Sequence, residues 1–170
     1  MTMDVMNEFV LQSAHSIEEK TPRIVYCLQE LSEDEIWKRP NTVSNSVGNI
    51  VLHLCGNVRQ YIVSSLGGAE DMRERDKEFS TMGGYSRKEL SERLTSTASE
   101  AVRIIRTMDE ASLSRISEVQ GFRLSGTGII VHVTEHYSYH AGQIIFWTKL
   151  LKNKDLGFYA DVNLNLKNKK

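Results

Sequence analysis

Apolar residues recur along four stretches of the chain at the three-and-four spacing that puts them on one side of a helix. The first runs from about residue 4 to 31, where Val5, Phe9, Ile17, Ile24, Leu28 and Leu31 return near heptad spacing. Pro22 lies inside it and predicts a kink or a local break, because proline removes one helical hydrogen bond. Ser32 and Glu35 stand three apart as a capping box that starts a short turn through Trp37, which Pro40 closes. A second helix is predicted from about 46 to 66, starting near Asn45 or Ser46 and stopping at Gly67-Gly68. It would bury Ile50, Leu54, Val58, Tyr61 and Ile62.

The third helix, about 86 to 108, opens on Ser86 and Glu89 and carries the stripe Leu90, Leu94, Ala98, Ala101, Ile105 and Met108. Between Asp109 and Gly128 the period fails, and SEVQGFRLS alternates around Gln120-Gly121 as a small hairpin does. The fourth helix is predicted from about 127 to 152. Its apolar positions, among them Ile129, Val133, Ile144, Phe146, Trp147 and Leu150, circle more of the helix than one core face requires. A central place in the molecule, or a homodimer interface, would explain that. The stretch from Gly67 to Tyr85 is long for a link between antiparallel neighbours and predicts a crossover. After Asn153, Phe158 and Tyr159 are expected to hold the chain to the core before it loosens toward Lys170.

The reading is thus all-α, one domain over residues 1–170 built on four long helices. At 170 residues, with 40% hydrophobic and 25% charged, the chain can bury a core without disulfides or a structural metal. Its 21 basic and 22 acidic residues give a net charge of −1, with only Lys167, Lys169 and Lys170 concentrated at one end, so nucleic acid is not an expected partner. No apolar run approaches the ~20 residues that cross a bilayer. Met1 to Phe9 lacks the basic and apolar regions of an export signal, and a cytoplasmic location is expected. Cys27 and Cys55 are too few and too far apart for a disulfide framework and read as buried free thiols.

The candidate chemistry lies in VHVTEHYSYHAGQ, where His132, His136 and His140 follow each other at intervals of four. On a helix rising ~1.5 Å per residue, neighbours in that series are ~6 Å apart along the axis and can share an ion, while the outer two are ~12 Å apart and cannot. Two pairs are therefore open, His132 with His136 and His136 with His140. The first spells HVTEH, the H-x-x-E-H pattern of inverted zinc proteases with Glu135 as general base. In those proteases a downstream glutamate completes the site, and no glutamate follows His136. The second pair needs a third ligand, and His53 in NIVLHLCGNVRQY is the best candidate, since it shares the inward side of the second helix with Ile50 and Leu54. Three neutral nitrogen ligands with open positions describe a catalytic metal site better than a closed structural one.

Three regions, NSVGNIVLHLCGNVRQYI, EHYSYHAGQIIFWTKLL and more weakly LSEDEIWKRP, resemble the DinB/YfiT-like proteins, which are four-helix bundles carrying a three-histidine metal site. The resemblance implies an up-down-down-up bundle, a homodimer, and a divalent ion, zinc or nickel, on His53, His136 and His140. It places His132 outside the ligand set, as a pocket or packing residue. It also implies a small-molecule substrate and a low-molecular-weight thiol as cofactor, because characterised members include thiol S-transferases and a thiol-dependent isomerase. A metal-dependent hydrolase and a non-catalytic metal-binding protein are the alternatives. Asn57 and Gln143 are possible pocket residues, Tyr139 and Arg59 weaker ones, and no catalytic side chain is assigned.

Overall fold

The computed structural model describes residues 4–169; the expectations that involve Met1 to Met3 and Lys170 lie outside them. The chain forms α1 (Val5–Glu30), the short α2 (Glu33–Trp37), α3 (Val47–Val58) continuing as a π-helical turn (Arg59–Ser64), α4 (Arg75–Ser80), α5 (Arg87–Ile105), α6 (Glu110–Ser114), the hairpin β1 (Ile116–Val119) and β2 (Phe122–Ser125), and α7 (Gly126–Lys152). Three of the helix starts are capping boxes, Ser32 with Glu35, Ser46 with Asn49 and Ser86 with Glu89. In each the serine hydroxyl accepts a backbone N–H that the first turn leaves without a helical partner, while the residue three on closes the reciprocal bond.

Side-chain pairs along the long helices fix their directions. Arg87 at the start of α5 donates to the Gln29 carbonyl at the end of α1, and Arg106 past the end of α5 meets Glu18, so α1 and α5 are antiparallel. Thr21 meets Tyr137 and Lys154 meets Glu30, which makes α7 run with α1. His53 meets His136 while Asn57 and Tyr61, further along, meet His132, so α3 runs against α7 and therefore with α5. The result is an all-α, up-down-down-up four-helix bundle. Ile17, Ile24, Leu28, Leu54, Ile62, Leu90, Leu94, Ile105, Ile129 and Ile144 fill its centre.

Three departures from the sequence pattern bear on the rest. α1 passes through Pro22 without interruption, since Pro22 lies on the exposed side of a helix whose other face, Thr21, Ile24 and Leu28, is buried in the bundle. The second predicted helix ends its α-helical part at Val58 and widens into the π turn, which shifts Tyr61 and Gln60 around the axis relative to an unbroken α-helix. The long link to α5 contains α4. Asn49 pins the end of α4 by donating to the carbonyls of Glu78 and Thr81, at 2.9 and 2.7 Å, so the residue that caps α3 also fastens the crossover. Gly48 lets the Trp37 ring lie against α3, where a Cβ would meet it at 2.7 Å. Past α7, Phe158 packs edge-on against Tyr26 and Tyr159 accepts from Arg23, while Val162, Leu164 and Leu166 are exposed.

Candidate metal centre

α3 and α7 bring three imidazoles to one point. His136 Nε2 lies 3.1 Å from His53 Nε2 and 3.1 Å from His140 Nε2, and the candidate ligand atoms of all three rings fall within 4.8 Å of one another. His136 and His140 are one turn apart on α7, and the antiparallel α3 carries His53 across from them. His53 is buried, while His136 and His140 are half-buried.

The hydrogen bonds on the far sides of two rings say which nitrogen faces the centre bare. His53 Nδ1 is 2.9 Å from Glu78 Oε2, and His140 Nδ1 is 2.7 Å from Gln143 Oε1, while the Gln143 amide Nε2 donates to Tyr139 Oη at 3.1 Å. An ionised carboxylate and an amide oxygen only accept, so each of these contacts favours the proton on Nδ1 and leaves Nε2 of a neutral ring to present its lone pair to the centre. His136 Nε2 has a single lone pair or a single proton and cannot satisfy two rings at once. A cation can. Two nitrogens 3.1 Å apart, each about 2.0 to 2.1 Å from one ion, subtend about 100°, between the octahedral and tetrahedral angles. The donor set therefore fits a divalent transition metal held by three neutral nitrogens, and among the described residues no fourth His, Cys, Asp or Glu joins the cluster.

A family model described as "Protein of unknown function (DUF1572)" matches residues 4–160. The chain belongs to the DUF1572 family. No match is found among curated proteins. Among solved structures, a conserved protein from Enterococcus faecalis superposes with a TM-score of 0.70 at 15% identity, over 90% of this chain and 100% of its own. The DinB-like protein YjoA of Bacillus subtilis gives 0.66 at 17% identity, over 87% and 96%, and a DinB-like protein from Bacillus cereus gives 0.65 at 14%, over 82% and 91%. The fold of this DUF1572 protein is DinB-like.

The other residues singled out in the DUF1572 sequence take distinct places around the three rings. His132 stacks on Tyr61 with ring centroids 4.4 Å apart and lies over His136 at 5.6 Å, outside the converging set. Asn57, only 3% exposed, approaches His132 Nε2 at 3.4 Å through its Nδ2, and its Oδ1 has no hydrogen-bond partner among the described residues. Gln143 is exposed and orients His140, and Tyr139 flanks the His140 ring at 5.0 Å. Arg59 points away, to Glu100 on α5. Glu135 is exposed on α7 and belongs to no converging group of metal-ligating side chains among the described residues, which leaves HVTEH without the arrangement of a protease.

Electrostatics favour the neutral form of the histidines on α7. Burial, then the neighbouring His140, His53 and His132 rings, push His136 down to about 3. Burial also lowers His140 and His132, opposed in the first by the bond to Gln143 and in the second by Glu135. Neutral imidazole is the metal-binding form. Burial alone would raise the Glu78 carboxyl, but hydrogen bonds from Arg73 and His53 outweigh it and hold Glu78 below the ordinary glutamate value. The two thiols stay out of the chemistry, because burial pushes Cys27 up to about 11 and Cys55 up to about 12, and both are free and buried.

Glu78 and Arg73 were not among the residues the sequence marked. They lie in the crossover, within a run of alternating charges that reads as a solvated surface. Gly56 is the one signal that pointed to them, a glycine inside an apolar helix. A Cβ there would sit 1.9 Å from Glu78 Oε1, so its absence is what admits the carboxylate to α3.

Proposed function

We propose that this protein binds a single divalent ion, zinc or nickel, on His53, His136 and His140, and that it is a metal-dependent enzyme that activates a low-molecular-weight thiol for transfer to an electrophile. The convergence of the three rings, with His136 Nε2 3.1 Å from the Nε2 of both His53 and His140 and no fourth protein ligand among the described residues, carries the reading. A structural site is closed by four protein ligands, and one left open on a half-buried face admits a small molecule. When bound, such an ion supplies Lewis acidity that lowers the pKa of a thiol or of water.

The protein's own groups hold and shape the site. Glu78 and Gln143 orient two of the ligand rings, and Phe79, whose ring lies 4.8 Å from that of His53, gives it an apolar flank. Asn57 and His132 supply a polar wall one turn further along the bundle. Hydrolysis remains the alternative reaction, since water and thiol compete for the same open position and nothing about three histidines distinguishes them. A thiol-handling role suits the reducing cytoplasm, and no helix among the described residues is long and apolar enough to cross a membrane.

The test is His136→Ala. The enzyme reading expects a folded variant that has lost stoichiometric metal and, with it, conjugation of small thiols to a generic electrophile. If the variant fails to fold, the ion is structural. If wild type holds metal but forms no thiol-dependent product while hydrolysing esters or amides, the alternative reaction takes its place.

A further inference from the structure

The rear edge of His53 meets a buried ion pair supplied by the crossover between α3 and α5. Arg73 donates from Nε to Glu78 Oε1 at 2.7 Å and from Nη2 to Glu78 Oε2 at 2.9 Å, and the two side chains are only 3% and 9% exposed. The same Arg73 Nη2 lies 3.2 Å from His53 Nδ1, while Glu78 Oε2 lies 2.9 Å from it. His53 Nδ1 therefore faces a donor and an acceptor at once. Arg73 Nη1 is anchored to Gln60 Oε1 at 2.8 Å, and Gln60 in turn donates to Asp71 at 2.8 Å, so the guanidinium is held from the π turn.

A neutral imidazole carries one proton, and the two neighbours ask for opposite placements. With the proton on Nδ1, His53 donates to Glu78 and its Nε2 lone pair faces the other two histidines. With Nδ1 bare, it accepts from Arg73, and Nε2 carries the proton and cannot bind a metal. We propose that Glu78 is the positioning residue that decides this choice, fixing His53 in its metal-binding tautomer against the competing Arg73, which doubles as the clamp that holds Glu78 in place. The inference rests on the reading of the three histidines as a metal site. It gives the crossover a role in that site, and it explains why Asn49 and Arg39 both fasten the backbone around Glu78, the first at the Glu78 and Thr81 carbonyls and the second at the Phe79 carbonyl. Outer partners of metal-ligating histidines typically change metal affinity 10- to 100-fold when removed.

The experiment is nitrogen NMR of histidine-labelled, metal-free protein, followed by zinc titration, on wild type, Glu78→Gln and Glu78→Ala. Wild type should show His53 protonated on Nδ1. Both variants should shift it toward the Nε2-protonated form, because Arg73 Nη2, joined in Glu78→Gln by the amide N–H, is then the dominant neighbour, and zinc affinity should fall about 10- to 100-fold. Should Glu78→Ala unfold through loss of the partner for Arg73, the isosteric Glu78→Gln carries the same two readouts. Adding Arg73→Met to Glu78→Gln should return part of the lost affinity by removing the competing donor. A folded Glu78→Gln with the wild-type tautomer and zinc affinity within about twofold of wild type would overturn the proposal. If wild type shows the Nδ1 proton yet binds no zinc, it is the metal reading that fails and the tautomer assignment that survives.

Discussion

Tyr137 stands next to His136 in the chain, and the helix turns it about 100° around the axis, into the core. Its hydroxyl meets Thr21 Oγ1 at 2.8 Å across the bundle, and Thr21 also donates to the Ile17 carbonyl. Tyr137→Phe removes that cross-bundle bond while leaving Thr21 a partner, and should cost about 1 kcal/mol in urea unfolding with zinc affinity unchanged. A loss of metal binding in that variant would mean that the two faces of α7 are not independent. The same helical geometry made much of the site legible from the chain. An i, i+4 pair of histidines converges whatever the surrounding fold, and a histidine beside Ile50 and Leu54 had to face inward. The choice of pair came from the missing downstream glutamate and the family resemblance rather than from helix geometry, and the structure places His132 against Tyr61, outside the converging set. Glu78 was hidden. Its burial depends on the space at Gly56, more than twenty residues away, and on the Arg73 guanidinium five residues before it, whose inward turn the run of charges does not reveal.

At the scale of elements, the four long helices and two of the three capping boxes could be read from period and spacing, because they arise from local bonds and one apolar face each; the third, Ser46 with Asn49, lacks the Glu or Gln that marks the pattern. The π turn could not, because it differs from an α-helix only in which carbonyl each N–H chooses. Pro22 is the element-level surprise: α1 passes through it although its missing N–H leaves the Glu18 carbonyl without its i+4 donor. Pro22→Ala should restore that bond and stabilise the protein by about 1 to 2 kcal/mol, the helical gain being partly offset by a freer unfolded chain. An unchanged or lower denaturation midpoint would show that the proline is accommodated at no cost. A second element-level prediction concerns acid. Glu35 accepts from Lys152 at 2.6 Å and from the Ser32 N–H at 2.7 Å, tying α2 to the end of α7, and these bonds bring its carboxyl down to about 2. A carboxyl lowered on folding contributes fully above its ordinary value near 4.5 and loses that contribution as the pH falls to about 2. Wild type should exceed Glu35→Gln in stability by up to about 1 kcal/mol at pH 7, with the gap closing across that window, since the pair is partly solvated.

At the scale of the whole molecule, α7 buries Ile129, Val133, Tyr137 and Ile144 against the bundle yet leaves Phe146 68% and Leu150 60% exposed. The excess of apolar positions along this helix is thus not consumed by the chain's own core, and a homodimer that covers them is the expected state in solution. Light scattering should give twice the 19.3 kDa chain mass for wild type, and the chain mass for Phe146→Glu with Leu150→Glu. A monomeric wild type would leave that face to another partner. The ion, for its part, would link α3 to α7, which lie far apart in sequence, so zinc at 100 times its dissociation constant should add about 2.7 kcal/mol to unfolding stability. The most direct test of the site is anomalous diffraction from crystals grown with zinc. One peak is expected about 2.0 to 2.1 Å from the Nε2 atoms of His53, His136 and His140 together. A map with no peak there, the three rings bonded only to one another and the zinc bound elsewhere, would contradict the metal reading.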